Sequence, residues 1–137
     1  MGHYTEFVFA AKLKKNIPMN VIHTLVCTIT EDDNITTTRL PNHPLFKTDR
    51  WTHIGSQSSQ MFGYTRALSS VVTDQIDHQI IVSIRCSLKN YQGEIEKFVD
   101  WIKPYVESGS GDCNLLGYSI EEGGDAPVLY YLHKEPV

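Results

Sequence analysis

Six histidines, three cysteines and one segment mixing arginine, tryptophan and histidine are the side chains through which this sequence could do chemistry. His3, His23, His43, His53, His78 and His133 show no HxH or HExxH pattern and no His/Cys pair at ligand spacing, and each falls on a different element, so no metal site is expected. Cys27, Cys86 and Cys113 form no CxxC and cannot close a disulfide framework. Cys86 belongs to the apolar side of an alternating run, and the acids near Cys113 would raise its thiol pKa. A cysteine nucleophile is therefore not expected. Ser108-Gly109-Ser110-Gly111 follows a helical pattern and leads into a strand, without a Walker lysine. A phosphate cradle needs the opposite order, loop then helix N-terminus. No catalytic residue and no cofactor are assigned.

The segment from Arg39 to Gln60 holds the candidates for binding: Arg39, His43, Asp49, Arg50, Trp51 and His53. Tryptophan beside arginine is a common interface anchor, and long loops on rigid scaffolds carry binding. Were residues 39–60 to form a small-molecule or nucleotide pocket against a sheet, Arg50 would hold an anionic group and Trp51 would stack. His53 would then be the acid/base candidate, since its reference pKa lies near neutrality.

Charge narrows the partners. Twelve Lys and Arg against sixteen Asp and Glu give a net charge of −4, and all of the excess falls beyond residue 100. Lys12, Lys14 and Lys15 are too small a basic cluster to grip phosphates, so nucleic acid is not an expected partner. An anionic-surface mimic built on the acidic C-terminal quarter is a further reading. No apolar run approaches the ~20 residues of a membrane helix. With no charged-then-apolar leader and no disulfide framework, the expectation is a cytoplasmic chain with reduced thiols.

The elements that must position these groups follow from periodicity. Residues 5–13 alternate, with Phe7, Phe9, Ala11 and Leu13 on one side. Asn16 can cap a helix whose first turn suits Pro18; beyond them Ile22, Leu25, Val26 and Ile29 make a helical stripe, although the many β-branched residues keep a strand open as the alternative. Residues 31–50 show no clear period and could hide a strand at 35–40 or a helical turn at 44–47. Trp51–Ser56 and Met61–Leu68 read as two strands turning at Gln57-Ser58-Ser59. Ile80–Leu88 alternates most clearly. Asn90 can cap a second helix whose stripe is Ile95, Phe98, Val99, Ile102 and Val106, with Glu94 largely off it and Pro104 at a kink or the end. Residues 115–121 and 128–133 read as a terminal hairpin.

This order predicts a single α+β domain over residues 1–137. It would be a two-layer sandwich of a mostly antiparallel sheet with two helices on one face, around a ferredoxin-like split βαβ kernel with extra strands. Val8, Ile81, Leu129 and Tyr131 would then put apolar side chains on the helix-free face, which predicts a homodimer.

Two stretches, Asn42 to Trp51 (NHPLFKTDRW) and Ile84 to Tyr105 (IRCSLKNYQGEIEKFVDWIKPY), resemble segments of small uncharacterised proteins of bacteria and their phages or prophages. The resemblance covers about 32 of the 137 residues, carries no catalytic motif, and implies an accessory protein. The function expected from the whole is non-enzymatic binding, by self-association and with a possible protein partner.

Overall fold

The computed structural model describes residues 3–30, 40–59, 67–108 and 114–133. The fold is α+β. Strands β1 (Thr5–Lys12), β2 (Ser70–Thr73), β3 (Ile80–Leu88), β4 (Leu115–Glu121) and β5 (Val128–Tyr131) form one open sheet in the order β2-β3-β1-β4-β5, antiparallel throughout. Helices α1 (Met19–Thr30) and α2 (Glu94–Ile102) follow β1 and β3. β1 is central, paired with β3 from Thr5↔Leu88 to Lys12↔Ile81 and with β4 from Thr5↔Glu121 to Phe9↔Gly117.

Alternation along β1 and β3 drives one face of the sheet into the core. Phe7, Phe9, Val82, Ile84, Cys86 and Leu88 join Leu25, Ile95, Phe98 and Ile102 from the helices in one hydrophobic cluster. Phe98 is its hub: its ring meets Phe7, Phe9 and Trp101 edge-on at centroid distances of 5.9, 5.4 and 5.9 Å. Burial pushes the Cys86 thiol up to about 12, which makes it packing material rather than a nucleophile.

The helices depart from their expected faces. α1 buries Val21, Thr24, Leu25 and Thr28, while Val26 is exposed, so the stripe is rotated from the one read off the aliphatic residues. The rotation is tolerated because Thr24 and Thr28 donate their hydroxyls to the carbonyls of Asn20 and Leu25 at 2.6 and 2.8 Å. Asn16 does not cap this helix; the Pro18 carbonyl accepts from Val21 N–H at 3.1 Å instead. In α2 the expected stripe is buried, but so are Trp101 and Glu94, the latter fully, which corrects the outward placement of Glu94. One Glu94 carboxylate oxygen accepts from Gln92 N–H at 3.0 Å. Gly93 enters the helix at φ 68°, a left-handed conformation that favours glycine. Asn90 serves the helix from further out, its Oδ1 accepting from Ile95 N–H at 2.8 Å. Pro104 sits in the short 3-10 turn Lys103–Tyr105 that ends the helix.

The middle of the chain differs most from expectation. Trp51–Ser56 is not a strand: Trp51–His53 is a 3-10 turn, preceded by another at Pro44–Lys47. The apolar residues there are spaced for docking rather than pleating, and Leu45 and Ile54 are fully buried in the main core. The strand read at Met61–Leu68 falls almost wholly outside the described residues, as does the possible strand at 35–40. The strand observed on the side of β3 away from β1 is β2, whose Val71 faces the core and whose Val72 faces outward. Its turn to β3 is tied to β1 by Lys12, which bonds Asp77 at 2.5 Å and holds that carboxyl below its ordinary value.

Candidate functional site

Five of the six residues singled out in the 39–53 segment lie in the described structure, and Arg39 lies outside it. His43 precedes the first 3-10 turn, where its Nδ1 accepts from Leu45 N–H at 3.1 Å and its Nε2 lies 2.9 Å from Asp100 of α2. Both ring nitrogens are thus engaged. A neutral ring so placed carries its proton on Nε2 and has no lone pair to spare for a substrate. Asp49 N–H donates to Gln92 Oε1 at 2.7 Å, while Gln92 Nε2 donates back to Asp49 at 3.3 Å. The Arg50 guanidinium lies 5.3 Å from the ring centroid of Tyr91. Trp51 packs edge-on against Phe46 at 5.2 Å, and Phe46 against Trp101 at 5.1 Å. His53 is half-buried, its backbone N–H donating to the Arg50 carbonyl at 2.9 Å. Four of the five described candidates, His43, Asp49, Arg50 and Trp51, therefore grip α2 or its approach, directly or through Phe46. They form a clamp within the chain.

The second place where side chains gather is the sheet face turned away from the core. Four residues stand in a row across four strands: Arg85 on β3, Val8 on β1, Tyr118 on β4 and Leu129 on β5, each paired with the next. Tyr131 and Leu115, paired across β5 and β4, flank the row on one side, and Ile120 and Glu6 on the other. Ile81 and Val72 extend the face across β3 and β2.

No known family, curated protein or solved structure matches the chain.

Leu129 is 43% exposed, Leu115 43% and Val72 49%, which is unusual for aliphatic side chains on neighbouring strands of one face. Charges of both signs stand among and around them: Lys12 and Arg85 against Glu6. The Tyr118 hydroxyl lies 3.5 Å from Glu6 Oε1. Past Phe9↔Gly117 the two central strands diverge, and a cavity of about 300 Å³ opens between them, lined by Ala10, Lys12, Ile81, Leu115 and Leu116 among others. Val8, Ile81, Leu129 and Tyr131 were legible from alternation. Tyr118, Leu115 and Val72 were not, because facing on β4 shifts at an irregularity between Leu115 and Gly117 and β2 carried no clear pattern. Among the described residues no helix is long and apolar enough to cross a membrane, and no group of three His, Cys, Asp or Glu side chains is placed to hold a metal.

Proposed function

We propose that this chain is a non-enzymatic binding protein that acts as a homodimer, with the helix-free sheet face as the interface between two copies. The observation that carries the reading is the row Val8–Tyr118–Leu129 with Leu115 and Tyr131 beside it, an apolar surface on the opposite side of the sheet from the core. Five strands about 4.8 Å apart, several residues long, present roughly 500 Å² in projection. A standard interface buries ~800 Å² of accessible surface per partner, so a dimer would engage most of this face. Two copies of one sheet face can stack about 10 Å apart around a two-fold axis. The face carries charges of both signs, Lys12 and Arg85 with the nearly buried Glu6, so a two-fold pairing of copies can set unlike charges opposite each other.

The engaged nitrogens of His43 and the buried Cys86 support binding over catalysis. The strand order, read without β5, is that of a split βαβ kernel, and we read the fold as ferredoxin-like on that ground. The resemblance of residues 42–51 and 84–105 supports reading the chain as a cytoplasmic accessory protein of bacteria or phages.

Light scattering coupled to size exclusion tests the interface. Wild-type protein should run at twice the 15.6 kDa chain mass, and Leu129→Glu at the monomer mass with an unchanged circular dichroism spectrum. A wild type that stays monomeric at several hundred micromolar, or a Leu129→Glu variant that remains dimeric, overturns the proposal.

A further inference from the structure

The 3-10 turn Pro44–Lys47 is a plug on the core. Leu45 is fully buried, and Phe46 meets Trp51 and Trp101 edge-on. Pro44 brings no N–H, so the Leu45 N–H is the first donor of the turn, and His43 Nδ1 accepts it at 3.1 Å. The opposite nitrogen of the same ring, Nε2, lies 2.9 Å from Asp100 Oδ2 on α2. One imidazole thus ties the plug to the helix it covers, through two bonds of opposite polarity.

Those polarities demand one protonation state. A carboxylate accepts, so Nε2 must carry a proton; a peptide N–H donates, so Nδ1 must not. A second proton turns Nδ1 into a donor aimed at another donor, and the bond to Leu45 is lost. The bond to Asp100 gains charge at the same step, but the Asp100 side chain is 80% exposed and water screens the gain. The His43 side chain is 17% exposed, so a charged ring regains full hydration only by leaving the turn. Asp100 is its one ionic partner among the described residues. Of the other charges on the elements packed here, Lys47 ends the plug itself, while Glu96, Lys97 and Lys103 flank Asp100 in the chain. Glu96 is held by Asn90, and Lys97 donates to the Gln92 carbonyl. Towards the second turn, Asp49 is held by Gln92, Arg50 lies over Tyr91, and His53 is half-buried.

We infer that His43 is a pH-operated latch on this plug, closed by the neutral ring and released when the ring takes a second proton. Imidazole is the side chain that ordinarily changes charge between pH 5 and pH 8. The cap is therefore intact at the alkaline end of that window and lost as pH falls through it. Release loosens Leu45 and Phe46 from α2 and uncovers the edge of Trp101 that Phe46 meets, an apolar surface hidden while the latch is closed. The device is separate from the sheet-face interface and stands whether or not two copies pair there.

Nuclear magnetic resonance of the full chain tests the latch. At pH 8 the ring nitrogen shifts of His43 should report the Nε2–H tautomer. Between pH 8 and pH 5 the hydrogen-exchange protection of the Leu45 amide, corrected for intrinsic exchange, should fall about fivefold, the effect of losing one cap. The Val82 amide, in the sheet, should change far less, which separates release of the plug from loss of the fold. His43→Asn accepts from Leu45 N–H without titrating, so its Leu45 protection should stay flat. Asp100→Asn should leave the fall in place, because the lost acceptor and not the ion pair drives it. An Nδ1–H tautomer at pH 8 overturns the proposal, as does wild-type Leu45 protection that stays flat or rises on acidification. A fall that is equal in His43→Asn, abolished in Asp100→Asn or matched at Val82 does the same.

Discussion

Gly117→Ala is expected to be among the most damaging single-methyl additions this chain can suffer. Gly117 sits opposite Phe9 where β4 meets the central strand, and a Cβ there would lie 2.0 Å from the Val8 carbonyl oxygen and 2.8 Å from Phe9 Cα. Ordinary carbon–oxygen contact begins near ~3.3 Å, so β4 would have to retreat by roughly 1.3 Å. β1 cannot yield, because its other edge is held by β3 along the whole strand. A retreat of that size breaks about two backbone hydrogen bonds at ~1 kcal/mol each and adds ~1–3 kcal/mol of strain. The expected loss is about 3–5 kcal/mol, a large share of the ~5–15 kcal/mol that holds a domain together. Urea unfolding followed by tryptophan fluorescence at fixed protein concentration should show the midpoint fall by about 2 M for a slope near ~2 kcal/mol/M. Gly123→Ala is the control. There φ is 76° and nothing lies within 4 Å of the added methyl, so only conformational strain of about 1 kcal/mol is expected. A Gly117→Ala protein within 1 kcal/mol of wild type, or no worse than Gly123→Ala, would refute the β1–β4 register. With that register would go the Val8–Tyr118 row.

Two other outcomes follow from the described contacts. His43→Ala should cost about 1 kcal/mol by removing the cap on Leu45 N–H, whereas His43→Asn, which can still accept there, should recover most of it; thermal melts of the pair decide. Cys86 has a folded pKa of about 12 against an ordinary 9.0, so its contribution is intact below pH 9 and is lost as pH rises towards 12. The slope is about 1.4 kcal/mol per pH unit. Relative to wild type, Cys86→Ala should lack that alkaline slope in denaturant titrations, and thiol reagents should label the half-exposed Cys27 well before Cys86.

Local order was written plainly wherever one element's burial obeys one period. β3 emerged at Ile80–Leu88 because any other register would bury Arg85, and α2 emerged because Ile95, Phe98, Val99 and Ile102 recur at helical spacing. Periodicity misled where polar side chains satisfy themselves locally: Thr24 and Thr28 turn inward because their hydroxyls bond within α1, and Glu94 because a neighbouring N–H meets one of its oxygens. It misled again at Trp51–Ser56, where aromatic and aliphatic residues dock a pair of 3-10 turns onto the core rather than line a strand.

Candidate chemistry was less visible than the fold for a related reason. Residue type can nominate His43, Asp49, Arg50 and Trp51, but it does not say that their partners are Asp100, Gln92, Tyr91 and Phe46 of the same chain. Alternation and helical spacing report which side of an element turns from water, a property of neighbours in the chain. Which elements then stand side by side depends on strand order and crossover, and contacts between distant residues exist only once the sheet has closed in that order.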